Sequence, residues 1–315
     1  MKFYIKKIFD FLITIFLVTL ITFLTFNILP GNPAVAILGP DADEVQVAEL
    51  EKEFNLDKPL AVRYVTWLLN IFKGDFGTSY RFNTKVSSII SQSAAVTLSL
   101  SLFTIILTVL IAVPLGILLA SYGKNPAIRS IELVDQIFIS TPSFCTALLL
   151  IIIFTVKLGL FPSMGYTKWS DNPALCIKSL FLPSLSLALG SSAILARYLK
   201  TNFKEQLEKD YVKTAYSKGL SPLYVNIHHV LRNSVLSVIT TLGLILTEIL
   251  GGSIIIENVF SLPGIGKLIA ISISARDFPL ISGLVLYLAV ICVSCNFLID
   301  IIYSLIDPRI KRTAK

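Results

Sequence analysis

Apolar residues fall along this chain in long, nearly unbroken blocks, not in the short alternations of a water-soluble core. A helix rises about 1.5 Å per residue, so about 20 residues cross the hydrocarbon region of a bilayer. Six stretches are read as such spans: residues 11–29, 94–120, 137–156, 179–196, 235–256 and 278–299. Pro114 lies inside the second, Pro142 near the start of the third, and Pro183 inside the fourth. The fourth is the weakest by hydropathy, because it carries five serines and Gly190. Prolines and small polar residues are tolerated in membrane helices when neighbouring helices satisfy the freed backbone groups. The pattern therefore predicts an all-α polytopic membrane protein, a packed bundle of about six transmembrane helices.

Composition agrees. Hydrophobic residues make up 54% of the 315 and charged residues only 15%, against about 25% in soluble domains. Mean hydropathy is +0.77. The first apolar run begins behind Lys2, Lys6 and Lys7, as a signal peptide would. It is longer than an h-region and lacks a small-x-small cleavage site, so a retained helix is expected.

The net charge of +7 would raise the question of nucleic acid in a soluble protein. Here its distribution follows the bias of cytoplasmic loops toward Lys and Arg. Bases cluster at the N-terminus, at Lys124 and Arg129, over residues 197–232, and in a tail with Arg309, Lys311, Arg312 and Lys315. These regions share one side if there are six spans and both termini are cytoplasmic. The opposite segment, residues 30–93, holds eight acids and six bases. Within it, residues 41–54 predict a short acidic surface helix. Residues 59–72 predict an amphipathic helix with Leu60, Tyr64, Trp67, Leu68 and Ile71 on one face, and residues 73–77 a turn.

The cytoplasmic segment 200–233 is long and punctuated for a connector. Residues 205–218 favour helix. Gly219 supplies the positive φ common just past a helix end. Ser221-Pro222 is a good N-cap and N1 pair for a second helix. The result is a helix–turn–helix on the cytoplasmic face, a surface on which a soluble partner could push.

The run "DYVKTAYSKGLSPLYVNIHHVLRN", residues 210–233, resembles the EAA loop of ABC importer permeases. Ala215 and Gly219 stand at that family's Ala and Gly positions. Arg232 replaces the general terminal proline, a departure characteristic of the dipeptide/oligopeptide/nickel subgroup. Further similar runs are "LPGNPA" (29–34), "GDFGTSY" (74–80), "IIENVFSLPGIGKL" (255–268), "RDFPLISG" (276–283) and "DPRIK" (307–311). The resemblance covers essentially the whole chain. It implies a transmembrane permease subunit that forms half of a translocation pathway in a bacterial or archaeal inner membrane. The implied partners are a second permease, two ATPase subunits and an extracytoplasmic substrate-binding protein. It implies cargo of dipeptides, oligopeptides or nickel chelates, with "FPSMGY" (161–166) and residues 247–260 nearer the nickel branch. The coupling residues it implies are Asp210, Tyr211, Thr214, Ala215, Gly219, His229, Arg232 and Asn233. ATP is used by the partner subunit, and no cofactor is expected on this chain. The expected division is residues 1–93, a permease core over 94–308, and a basic tail over 309–315.

Single residues sharpen the picture. Glu248 lies midway along the fifth span, where a buried acid costs about 2.5–3.5 kcal/mol on insertion scales. It is expected to line the pathway or to tie helices together. Gly251, Gly252 and Asn258 follow it as further pathway candidates, the glycines also allowing close helix approach. The run Gly264-Ile265-Gly266-Lys267 lacks the Walker spacing, and no such pattern occurs elsewhere. Cys145, Cys176, Cys292 and Cys295 suggest helix-packing residues and no disulfide framework. Adjacent His228 and His229 point about 100° apart on a helix and do not chelate one ion well. No H-E-x-x-H or G-x-S-x-G occurs, so a membrane enzyme is disfavoured. A self-contained carrier or channel is the alternative, although it would ordinarily carry more intramembrane ionisable groups or inverted repeats.

Overall fold

The computed structural model describes residues 2–28, 33–39, 42–53, 57–123 and 125–306. The "DPRIK" run, the basic tail, Lys124 and most of "LPGNPA" lie outside them. Thirteen helices are formed among the described residues: α1 (Lys2–Ile28), α2 (Pro33–Leu38), α3 (Glu44–Glu53), α4 (Leu60–Phe72), α5 (Val86–Tyr122), α6 (Pro126–Ser140), α7 (Ser143–Leu150), α8 (Pro173–Leu207), α9 (Asp210–Ser217), α10 (Pro222–Val225), α11 (Arg232–Val259), α12 (Ile265–Ser274) and α13 (Phe278–Ile306). The helices α7 and α10 continue into π-helical segments, Ile151–Lys157 and Asn226–Leu231. Five helices among the described residues are long and apolar enough to cross a membrane: α1, α5, α8, α11 and α13.

The third predicted span is corrected. Residues 137–156 do not form one straight helix. The chain breaks at Thr141-Pro142, and α6 and the α7 segment meet at 110°. Proline disfavours the α region for its predecessor, and Thr141 is extended, with φ −96° and ψ 124°. Counted as one bent crossing, the pair brings the candidate spans among the described residues to six. The fifth candidate span is Val238–Val259, close to the expected 235–256, and the helical backbone extends before it from Pro222.

The described residues pack in two compact units, one drawn from residues 2–97 and 263–294, the other from 98–262 and 295–306. Both α5 and α13 contribute to each. In the second unit α8 is central and packs against α6, α7 and α11. Its most apolar window is 72% buried, against 39% at most for the other four spans. The low hydropathy of this span has a physical cause. Ser184, Ala188, Ser191, Ser192, Ala193 and Ala196 are buried, and small residues let helix backbones approach closely where lipid supplies no hydrophobic drive. The reciprocal face is cut the same way: a Cβ on Gly116 would lie 2.9 Å from Leu199, and one on Gly252 would lie 3.2 Å from Leu187.

In the first unit, Tyr64 and Trp67 of α4 pack on Phe23 of α1, and Tyr64 shares a 3.0 Å hydroxyl hydrogen bond with Thr19. A second cluster joins Val86, Ile90 and Ala94 of α5 to Ile265 of α12 and to Leu280 and Leu284 of α13. Above it lies Asp277, fully buried. Its carboxylate accepts hydrogen bonds from the Ser79 hydroxyl and from the amides of Tyr80 (3.2 Å), Arg81 (3.1 Å) and Leu280 (3.3 Å). Two sequence runs about 200 residues apart, "GDFGTSY" and "RDFPLISG", are thereby fastened together.

Four helices end in the same Schellman turn. Glycine takes the left-handed position after α4 (Gly74, φ 78°) and α9 (Gly219, φ 80°). Ser261 (φ 53°) takes it after α11 and Arg276 (φ 53°) after α12. A residue with a Cβ pays about 1 kcal/mol there relative to glycine.

Replacing Asp277 with alanine leaves three backbone amides and one hydroxyl unsatisfied. We expect a local loss on the order of 3 kcal/mol, read as faster hydrogen exchange at the Tyr80 and Arg81 amides while exchange in α8 stays as in the wild type.

Candidate functional site

The 200–233 segment folds as the sequence suggests in outline, with one correction. Residues 205–218 are not a single helix. The helix α8 runs on to Leu207, Lys209 turns extended (φ −71°, ψ 148°), and α9 starts afresh at Asp210. Asp210 lies in the first turn, where a carboxylate complements the helix dipole. The Lys213 ammonium, hydrogen bonded at 2.9 Å, holds its pKa below the usual carboxylate value. The α9 helix is amphipathic toward its own chain. Val212 and Ala215 are buried, whereas Tyr211, Lys213, Thr214, Tyr216 and Gly219 are uncovered. Thr214 bonds back to the Asp210 carbonyl at 2.9 Å, and the Tyr211 hydroxyl donates to Gln206 at 3.0 Å.

Gly219 closes α9. Its amide bonds to Tyr216 O at 2.9 Å, and the Leu220 amide bonds to Ala215 O at 3.4 Å. Ser221 then caps α10, accepting from the Tyr224 amide, with Pro222 at the first helical position. The second helix is not a separate element, because it runs through the π-helical segment into α11. His228 and His229 lie in that segment. His228 stacks on Tyr224, ring centroids 4.2 Å apart, and His229 meets the same ring edge-on at 5.9 Å. Asn233 donates to the His229 carbonyl at 2.9 Å, and Arg232 is uncovered. The eight implied residues thus share one loop, but Ala215 packs inward while the others lie at or near its surface.

The sequence reading missed the apolar part of that surface. Leu223 is 71% exposed, and Tyr216, Tyr224 and Ile227 are also uncovered. The signal was available. Val225 and Val230 carry the inward packing of this stretch, so the remaining large apolar residues in so basic a loop have no burial to serve.

On α11, Glu248, Gly251 and Asn258 fall on one stripe with Leu244 and Ile255, and none is covered by the chain. Nothing lies within 4 Å of a Cβ built on Gly251. Gly252 is turned away, toward Leu187. Asn258 satisfies its own amide on Ile254 O at 2.7 Å. Among the described residues, no group of three His, Cys, Asp or Glu side chains is placed to hold a metal ion.

Residues 112–312 match the family described as binding-protein-dependent transport system inner membrane component, and residues 1–101 match its N-terminal counterpart. The chain belongs to that family. It is a permease subunit of an ABC importer and a multi-pass inner membrane protein. Relatives span its full length. A putative peptide transport system permease protein of Brucella abortus is 36% identical over 307 residues, 98% of each chain. The glutathione transport system permease protein GsiC of Salmonella paratyphi A is 33% identical over 311 residues, 99% of each. Among solved structures, an inward-facing conformation of the MetNI methionine ABC transporter shares the fold. Its TM-score is 0.58 at 16% identity, over 70% of this chain and 96% of that one.

The φ of Gly219 gives a stability prediction independent of any partner. Space is open around a Cβ there, so Gly219→Ala should cost about 1 kcal/mol through backbone strain alone, and Gly219→Asn less. Thermal unfolding in detergent should rank the three proteins in that order.

Proposed function

We propose that this permease forms one half of a translocation pathway for peptides, paired with a second permease of similar fold and driven by two separate ATPase subunits. An extracytoplasmic binding protein delivers the cargo. The observation that carries the reading is the 210–233 loop. It is packed from within by Val212, Ala215 and Val225, yet it leaves aromatic, apolar and basic side chains uncovered, Leu223, Tyr224 and Ile227 among them at helical spacing. Scattered surface apolars need no explanation, but a contiguous patch marks an interaction site. Asp210, Tyr211, Thr214, Gly219, His229, Arg232 and Asn233 form that surface with Tyr216, Leu223, Tyr224 and Ile227. Ala215 acts as the spacer that lets α9 sit close. The ATPase seats here, on the cytoplasmic side, with both termini on the same side. ATP is bound by that partner, and this chain carries no cofactor. The segments 1–93 and 309–315 flank the core at 94–308.

The α11 stripe supports the pathway. Left against lipid, the uncovered Glu248 would cost about 2.5–3.5 kcal/mol, so it faces a wet pathway or the second permease, with Gly251 and Asn258. Gly252 serves α8 packing instead.

Peptide cargo is favoured over nickel chelates because peptide and glutathione permeases are similar over the whole chain. A carrier working alone is the competing reading. In proteoliposomes holding the complete assembly and its binding protein, labelled dipeptide should accumulate with ATP, and a tenfold excess of nickel should not compete. Accumulation by the lone chain would overturn the importer arrangement.

Three substitutions localise the parts. Tyr216→Asp and Gly219→Asp should each lower co-purified ATPase about tenfold, an effect of roughly 1.4 kcal/mol on affinity, while membrane insertion is retained. Glu248→Gln should leave ATPase recovery unchanged and slow uptake several-fold; wild-type uptake by this variant would remove Glu248 from the pathway.

A further inference from the structure

The Schellman turn after α12 sets an arginine where glycine is cheapest. Arg276 is uncovered, and among the described residues it engages no carboxylate. Its neighbour Asp277 is the buried carboxylate that fixes the 79–82 loop. The Arg81 amide lies 3.1 Å from Asp277 Oδ2, so Arg81 and Arg276 flank one anchor. The same loop is a tight hairpin. Thr78 pairs with Lys85, the Ser79 amide bonds to Thr84 O at 2.9 Å, and the Val86 amide bonds to Gly77 O at 3.0 Å. Asn83 takes a left-handed φ of 48° at its tip. Lys85, Arg81 and Phe82 are uncovered, with the Arg81 guanidinium 5.9 Å from the Phe82 ring centroid. The acid nearest in sequence, Asp75, accepts from the Gly77 amide at 2.9 Å.

We propose that Arg81, Lys85 and Arg276 form a cationic docking surface for carboxylates on the extracytoplasmic binding protein. This rests on the importer reading and on the orientation that puts residues 30–93 outside. Three features favour a protein over a lipid surface. Lipid-binding basic segments are clusters of four to eight Lys or Arg that work by charge density and need no fixed geometry. Here two of the three cations are held on a hairpin that makes three hydrogen bonds to one buried carboxylate, and the third adjoins that carboxylate in the chain. Two of them are arginines, whose planar guanidinium reads carboxylates bidentately. The backbone strain at Arg276 is retained although glycine would relieve it, which points to a task for the side chain.

The test uses the complete assembly in liposomes and the binding protein identified by its stimulation of ATP hydrolysis in the wild type. That protein is titrated against wild type, Arg276→Gly, Arg276→Glu and Arg81→Glu. Removal of docking charges acts mainly on association and its salt dependence. We expect the half-stimulating concentration to rise about threefold for Arg276→Gly and about tenfold for each reversal. Basal hydrolysis and recovery of the second permease should stay unchanged. Arg276→Gly should also unfold at or above the wild-type temperature, which separates lost docking from lost stability. Wild-type titration curves for the reversals would overturn the surface while leaving the importer reading intact. A defect that appears only in vesicles with anionic lipid would overturn it in favour of headgroup binding, and loss of the second permease would overturn it in favour of a subunit contact. Failure of any binding protein to stimulate the wild type would overturn the importer reading and this surface with it.

Discussion

Close helix approach through small residues is the constraint on which the second unit depends. Lipid tails are as apolar as leucine, so burying leucine against leucine gains little in a bilayer. Association comes from van der Waals contact and from hydrogen bonds that lipid cannot supply. The serines and alanines of α8 give both. Several hydroxyls return to the helix's own backbone, as Ser179 does to Cys176 O at 2.8 Å and Ser186 to Pro183 O at 2.7 Å, while Ser184 reaches across to Leu100 O of α5 at 3.5 Å. The helices α6, α7 and α11 can thereby assemble around this one helix. What depresses its hydropathy is what makes it central.

This accounts for how much could be read from the sequence. Five spans were visible as apolar blocks, since transfer free energy depends on composition alone. The amphipathic α4 was visible too, from Tyr64, Trp67, Leu68 and Ile71 at helical spacing. The break at Thr141-Pro142 was not, because the residues on both sides are equally apolar and proline inside a membrane helix has two outcomes. It kinks the helix when neighbours satisfy the backbone, and ends it when they do not. That choice belongs to tertiary packing. The division between α8 and α9 was hidden for a related reason: Glu208-Lys209 has ordinary helix propensity, and only the extended backbone at Lys209 separates the two.

The candidate site was legible as a place more than as a surface. Gly219 and Ser221-Pro222 announced the turn through local chemistry, and they stand where expected. Which residues face outward followed from the hand of α9 and from burial of Val212, Ala215 and Val225, which no local rule supplies. Likewise Glu248 stood out by charge, but its alignment with Gly251 and Asn258, and the separation of Gly252 toward Leu187, appeared only with the helix phase fixed.

The unbroken helical backbone from Pro222 to Val259 has a mechanical consequence. At 1.5 Å per residue it is a rod of roughly 55 Å, with no loop along its length to act as a joint. Its first turns include the π-helical Asn226–Leu231, the kind of irregularity at which long helices bend. On the other side of α9 the helix is interrupted at the extended Lys209, where no side chain caps the turn. The 210–233 loop therefore joins α8 through a break in the helix and α11 without one, so the two spans are tied to it unequally.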